Sequence, residues 1–393
     1  MFFLKPETWN LIVSALPFIL DRIRGSGPIT VAEFMELALY HPEAGYYARE
    51  ARRSGRHGDF YTSVDVGPVF GELVSVQVAE MWRLLGEPRH LFDLVEAGAG
   101  DGRLSRDILD RLAVSEPDCH KAARLHLVER SPAARAEQVR TLGPHAATLA
   151  SSGEELPGPV SGVIFANELL DALPVHLVVM REDGLREVFV DAEGDRLVEC
   201  ERALSAPCLH AGIEWIGGRL QPGWRAEINL AALDWIGAAA RALSRGFLLV
   251  LDYGHETAEL CSPAHSAGSL RALKGHTFAG ASPDGLPGEA WLQEPGERDI
   301  TSHVDLTAVQ RAAEQHGLET LCVLDQSYFL LGLGAADLLA RSSGAGISDV
   351  RRRMALKTLV LPGGLGSTHK VLAFGKGVGR PSLQGCSYRT RVT

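Results

Sequence analysis

The chain is short of positive charge: 39 lysines and arginines stand against 49 acidic residues, a net charge of −10. A general nucleic-acid surface needs lysine and arginine to neutralise phosphates, so the composition argues against that class of partner. Paired cysteines are missing too. The six, at positions 119, 200, 208, 261, 322 and 386, are scattered, with no C-x-x-C and no Cys/His spacing of the zinc type. They read as small buried hydrophobes or plain thiols in a reducing compartment, the cytoplasm, with no metal centre. A membrane-length apolar run is also absent near the start. The segment Leu11–Leu20 is too short to span a bilayer, holds Pro17 and runs into Asp21, Arg22 and Arg24 rather than a small-residue cleavage site. Leu11, Ala15, Phe18 and Ile19 fall on one helical face, which predicts an amphipathic helix packed on the body and no membrane anchor.

What is present fits a soluble enzyme. With 393 residues, 46% of them hydrophobic and 22% charged, the chain can bury a substantial core as one large domain with an insertion or as two domains. The most informative stretch is Leu91-Phe92-Asp93-Leu94-Val95-Glu96-Ala97-Gly98-Ala99-Gly100-Asp101-Gly102, an apolar run that stops at an acid and passes into alternating glycines. A buried parallel strand feeding such a turn lets the backbone approach a ligand, and the next helix presents free N–H groups there. A dinucleotide turn wants G-x-G-x-x-G, but here the third glycine comes one position early, at Gly102, and Arg103 stands where glycine is needed. The form E-x-G-x-G-x-G, with Glu96, Gly98, Gly100 and Gly102, resembles the first motif of class I S-adenosylmethionine-dependent methyltransferases. As a plain strand-to-helix connection it would carry no ligand.

Three more apolar runs end in polar residues. Arg124–Val128 ends at Glu129, whose carboxylate can accept hydrogen bonds from both ribose hydroxyls or cap the helix announced by Ser131 and Pro132. Gly162–Ala166 ends in Asn167, Glu168 and Asp171, and Phe247–Leu251 ends in Asp252, Tyr253 and His255. Ligands of open α/β sheets sit at the carboxyl ends of strands, so these clusters face one crevice. Glu168 and Asp171 can alternatively be capping or surface-paired acids, and Asp252 a turn residue ahead of Gly254.

Taken together, several segments resemble the MidA/NDUFAF7-type family of methyltransferases over roughly residues 28 to 376. They are Gly58-Asp59-Phe60-Tyr61-Thr62-Ser63, Phe70-Gly71-Glu72-Leu73, the glycine turn, Ala166-Asn167-Glu168 with Asp171-Ala172-Leu173-Pro174, Asp252-Tyr253-Gly254-His255, and the run from Pro295 to Asp305. Gln326 with Phe329-Leu330 and the strand Lys370–Phe374 continue the match. The resemblance implies an α/β fold with a Rossmann-like class I methyltransferase sheet, a helical N-terminal region and an inserted antiparallel substrate-side element. It also implies S-adenosylmethionine as cofactor, with Thr62 and Ser63 covering its methionine end, and Asn167 among the cofactor residues. Known members act in mitochondrial complex I assembly and are associated with arginine methylation of a complex I subunit. The chain departs from the family at Leu169 and Leu170, where aromatic residues are usual, and at Thr62-Ser63-Val64-Asp65, where the usual form is T-S-P-E. Both lie on the acceptor side.

Five regions follow: 1–90 a helical cap, 91–171 the first half of the core, 172–245 an insertion near the acceptor site, 246–376 the second half with a loop or lid from Ser262 to Gly288, and 377–393 a polar tail read as disordered. His276, in the lid, matches a family position but reads as an ordinary hydrogen-bonding histidine. With a methyl group already activated on the donor, the protein's tasks are alignment, exclusion of water and proton management. For a guanidinium acceptor, Glu168 and Asp171 align the planar fork and receive the proton; Tyr253 walls the site, and His255 is a base for a less basic acceptor. The expected acceptor is an arginine in a protein or peptide. The alternatives are a small molecule or biosynthetic peptide, and a non-catalytic assembly factor that keeps the cofactor.

Overall fold

A computed structural model describes residues 14–48, 62–209, 220–274, 277–278, 289–342, 344, 346–361 and 364–388. The first helix, Leu16–Ser26, starts one residue before Pro17, where a proline is tolerated because the first turn has no N–H partner to lose. Ala15 and Ile19 are buried and Phe18 half-buried, as the amphipathic reading expects; Leu11 lies outside the described residues. After Gly27, β1 (Ile29–Thr30) leads into helix Val31–Tyr40, whose Thr30 cap accepts from the Glu33 N–H.

The apolar runs then build a sheet. β2 (Phe92–Ala97), β3 (Ala123–Val128), β4 (Leu149–Gly153) and β5 (Val160–Asn167) are parallel, with β3 and β4 on one side of β2 and β5 on the other. Chain order thus reverses between β2 and β5, which opens a crevice beyond their carboxyl ends. An antiparallel sheet follows: β6 (His176–Arg181), β7 (Gly184–Glu193), β8 (Arg196–Arg202) and β9 (Arg225–Ile228), with β1 on the edge of β7. It packs with the two N-terminal helices around Phe34, Leu39, Leu177, Val188 and Trp291.

β10 (Leu243–His255) returns to the main sheet beside β5. β11 (Arg271–Lys274), β12 (Thr277–Phe278) and β13 (Asp299–Thr301) form a small third sheet, so part of the expected loop is strand; His276 and residues 279–288 lie outside the described residues. β14 (Val304–Asp305) pairs with the end of β10, and β15 (Glu319–Asp325) and β16 (His369–Lys376) close the main sheet antiparallel, giving the order β15-β16-β10-β5-β2-β3-β4. One face carries helices Val69–Leu84 and Arg103–Ser115, the other Leu230–Ala242 and Leu306–Gln315. Both faces are therefore covered, as near-continuous apolar strands require.

Two sequence expectations fail at the C-terminal end. The described part of the tail is ordered: Leu383 is buried, the Gln384 N–H donates to Glu80 (2.8 Å) and the Gly385 N–H to Gln77 (3.1 Å). Cys386, brought beside β15 by that docking, forms a disulfide with Cys322 across a separation of 64 residues. A scatter of single cysteines carries no sign of a pair that only folding assembles.

Candidate active site

The glycine turn follows from the geometry at the end of β2. Gly98 (φ 69°) and Gly100 (φ 52°) both adopt left-handed backbone that L side chains avoid. A Cβ at Gly98 would stand 3.1 Å from Leu169, whereas at Gly100 the space within 4 Å is open. Both border a cavity of about 740 Å³ at the carboxyl ends of the strands. Gly102 does not. There a Cβ would come within 3.2 Å of Leu127, so this glycine seats the helix against β3.

Acids organise the donor side. The Glu96 carboxylate accepts from the Ser105 N–H (3.2 Å) and the Ser105 hydroxyl, tying strand to helix. Burial pushes its pKa up to about 8 against the pull of Ser105, and the charges of Asp101 and Glu129 add to the rise. Glu129 bridges two turns, accepting from the Gly100 N–H on Oε2 (2.8 Å) and from the Ser131 N–H on Oε1 (2.7 Å). Each oxygen keeps a lone pair for a vicinal diol. Asn167 donates from Nδ2 to Glu168 (3.2 Å), and its buried Oδ1 has no hydrogen-bond partner.

The cover segment behaves differently at its two residues. Thr62 lines the cavity, with its N–H and hydroxyl both donating to Asp65 (3.1 and 2.9 Å). Arg103 clamps that arrangement from the helix start, reaching Asp65 at 2.8 Å and Asp101 at 3.3 Å. The residue that broke the dinucleotide pattern and the one that departs from T-S-P-E thus meet each other. Ser63 is withdrawn from the cavity: its hydroxyl pairs with Gln326 (3.0 Å) and its N–H donates to Glu168 (3.0 Å). Residues 58–61, including Asp59, lie outside the described residues.

On the acceptor side, Glu168 stands at a corner with φ 52°, a conformation uncommon outside glycine. Asp252 holds that corner. Fully buried and away from the cavity, it accepts from the N–H groups of Leu169 (3.1 Å), Leu170 (2.8 Å) and Tyr253 (2.9 Å), which realises the turn alternative rather than a cavity role. Burial and the charge of Asp171 raise its pKa well above the carboxylate range. Glu168 accepts from Ser63 and Asn167 and lies 3.5 Å from His369 Nε2 at the start of β16. Burial works to lower the His369 pKa, but the charge and hydrogen bonding of Glu168, the Leu365 carbonyl and the charge of Asp171 together outweigh it, and the net direction is up.

Asp171 is buried at the cavity wall. Its Oδ2 accepts from the Thr301 hydroxyl (2.9 Å), which also pairs with the Tyr253 hydroxyl, while its Oδ1 has no partner. Burial raises the Asp171 pKa, the neighbouring Tyr253 hydroxyl opposes the rise, and the Glu168 charge adds to it. Opposite stand Tyr40 and Tyr47, stacked at 5.4 Å between ring centroids. Tyr47 donates to Asp299 (2.7 Å), Tyr40 donates to the Ala172 carbonyl (3.0 Å), and the Arg130 guanidinium lies 4.3 Å from the Tyr40 ring centre. His255 lines the cavity, with Nδ1 3.0 Å from Glu259 and its ring beside His265 and His303. Burial, then the neighbouring His255 and His265, lower the His303 pKa to about 4.

Sequence reasoning therefore missed Tyr40, Tyr47, Asp299, Thr301, His303 and His369. Three of these lie in the polar run Asp299–His303, whose alternating acid, hydroxyl and imidazole was the one available signal. The donor half suits an adenosine-bearing cofactor: the left-handed glycines, the bridging Glu129 and the unpartnered Asn167 Oδ1 surround one end of the cavity.

Comparison with known proteins agrees with this geometry. A family model of S-adenosyl-L-methionine-dependent methyltransferases matches residues 73–324. A Drosophila melanogaster relative, named as a mitochondrial protein arginine methyltransferase NDUFAF7 homolog, is 30% identical over 91% of this chain and 84% of its own. The Mus musculus protein arginine methyltransferase NDUFAF7, also named mitochondrial, is 30% identical over 84% of this chain and 76% of its own. A Burkholderia thailandensis crystal structure with S-adenosyl-homocysteine bound superposes with a TM-score of 0.83 at 27% identity, covering 96% of both chains. The strand ends, the glycine turn and these matches make one conclusion: the chain belongs to the MidA/NDUFAF7-type family of S-adenosylmethionine-dependent methyltransferases.

Proposed function

We propose that this enzyme methylates the guanidinium of an arginine presented by a protein partner. The observation that carries the reading is Asp171, a buried carboxylate with an unpartnered Oδ1 in a cavity also walled by Tyr40, Tyr47 and Tyr253. An unsatisfied buried acceptor is costly, and a cationic donor relieves it. A planar guanidinium also meets carboxylates through paired hydrogen bonds and stacks on aromatic faces. The names of the Drosophila and mouse relatives support the same acceptor.

Bound at the glycine turn, S-adenosylmethionine supplies a methyl group already activated on a sulfonium. In this proposal Gly98, Gly100, Glu96, Glu129, Asn167 and Thr62 hold it, Gly102 and Ser63 acting through the packing of their segments. Glu168 and Asp171 align the guanidinium fork and localise its charge on the far nitrogens. The raised pKa of Asp171 suits it to receive the proton that the methylated nitrogen gives up. Tyr253 keeps the path narrow. His255, held by Glu259, is reserved for acceptors less basic than arginine.

Among the described residues no helix is long and apolar enough to cross a membrane. A cytoplasmic placement belongs to the proposal and rests on the scattered cysteines, read from the sequence as thiols of a reducing compartment. The Cys322–Cys386 bond is at odds with a reducing compartment, and the Drosophila and mouse relatives both carry the word mitochondrial in their names, so imaging of the tagged chain is the direct check.

The acceptor is tested with methyl-labelled S-adenosylmethionine, the full chain, and a host extract divided by size filtration into proteins and small molecules. Label recovered as methylarginine after hydrolysis of the protein fraction is the expected result. Label confined to the small-molecule fraction overturns it and establishes the alternative of a small or biosynthetic acceptor.

A further inference from the structure

Three imidazoles meet at the cavity wall from separate parts of the chain: His255 ends β10, His265 ends the turn Pro263–His265, and His303 lies between β13 and β14. One ring nitrogen of each lies within 4.8 Å of the other two, and the ring centroids are 4.9, 5.1 and 5.7 Å apart. Among the described residues this is the one group of three such side chains close enough to share an ion. The arginine chemistry above uses none of the three as a group.

A single residue orients two of the rings. The Glu259 carboxylate lies 3.0 Å from His255 Nδ1, and the Glu259 carbonyl accepts from His265 Nδ1 at 3.0 Å. With the proton fixed on Nδ1, each ring keeps its lone pair on Nε2. This is the arrangement in which a carboxylate or carbonyl behind a histidine sets its tautomer and raises its basicity toward a metal. The third ring is anchored by its main chain, since the His303 N–H donates to Ser269 (2.9 Å), and its buried Nδ1 has no hydrogen-bond partner. A buried imidazole nitrogen left without a partner is a group in search of a ligand.

We propose that His255, His265 and His303 bind a divalent transition-metal ion of the zinc and cobalt class at the wall of the acceptor cavity. Imidazole ligands select this class over magnesium or calcium, which prefer oxygen. Nitrogens sharing one tetrahedral ion at about 2.1 Å stand about 3.4 Å apart, so rings whose nitrogens lie within 4.8 Å of one another need close by no more than about 1.4 Å on binding. Three protein ligands leave a fourth position open. His255 and His303 both line the cavity, which gives that position to water or to a donor atom of the acceptor. The site is independent of which acceptor is correct.

The test uses the full chain, stripped with a chelator, dialysed and titrated with Co²⁺ followed by visible absorption, with Zn²⁺ competition by calorimetry. One equivalent of cobalt with the intense visible bands of a four- or five-coordinate ion is expected. His265→Ala, on a surface turn, and His303→Ala should each weaken binding by at least about a hundredfold, and Glu259→Gln by about tenfold to a hundredfold. S-adenosyl-homocysteine affinity within about twofold of the wild type, on the scale where tenfold is 1.4 kcal/mol, certifies that a variant is folded. If His303→Ala does not fold, His265→Ala and Glu259→Gln carry the decision. Absence of stoichiometric cobalt binding, or equal affinity in folded His265→Ala, overturns the site.

Discussion

Glu168 is the residue on which cofactor binding and turnover part company most cleanly. Its carboxylate joins the cover segment through the Ser63 N–H, the strand end through Asn167 and β16 through His369, yet the Gly98–Gly102 turn forms without it. Glu168→Gln keeps an acceptor oxygen and removes the charge, so turnover should fall about tenfold to a hundredfold, of the order of one removed charged contact, while S-adenosyl-homocysteine affinity changes little. Steady-state rates beside calorimetry check this, and unchanged turnover removes Glu168 from the chemistry. Glu96 makes a pH prediction. Its folded pKa of about 8 exceeds the ordinary 4.5, so the stability it contributes is full below about 4.5 and drains away as the pH climbs to about 8. Glu96→Gln stays neutral, so its melting temperature should decline less than the wild type's across that window; parallel curves refute it. Both acids were visible in the sequence because each ends an apolar run. Asp252 and Ser63 were misplaced because a polar side chain at a corner serves either main chain or cavity, and the choice is made by partners such as Leu170 and Gln326 that are remote in sequence.

At the scale of elements, the strands were legible wherever they are buried on both faces, because β5 and β10 carry the unbroken apolar runs Val163–Ala166 and Phe247–Leu251, and β2 is apolar but for Asp93 and Glu96. The small sheet of β11–β13 was not, since its strands are four residues or fewer and sit among glycines and serines. The tail was misread for a similar reason. Polarity and three arginines mask Leu383, which is the residue that docks it, 1% exposed against the face that carries Phe329 and Leu330. Leu383→Ala should cost about 2–5 kcal/mol of stability, as other buried leucines do. Denaturant midpoints measure it, and a change under about 0.5 kcal/mol would show that the tail is an accessory to the fold rather than part of its core.

For the molecule as a whole, the cavity is the place where separately built layers meet. The glycine turn and Glu129 come from the main sheet, Tyr40 and Tyr47 from the N-terminal cap, and Asp299 from the small sheet. The seams are already bonded across: Tyr40 to Ala172, Tyr47 to Asp299, Arg130 to Glu36. The family resemblance implied a cover over the cofactor but gave no sign that the cap's tyrosines line the same cavity, because their approach depends on how the second sheet turns the helices. Layers tied in this way should lose structure together. Ligand that binds only the folded state adds about 2.7 kcal/mol at a hundred times its dissociation constant. S-adenosyl-homocysteine at that level should therefore raise a single cooperative melting transition, moving fluorescence from Trp291 in the cap core and from Trp82 and Trp235 around the main sheet in step. Two transitions, with only the one belonging to the main sheet displaced by ligand, would mean that cap and sheet fold separately, and that the acceptor wall is assembled only when both happen to be in place.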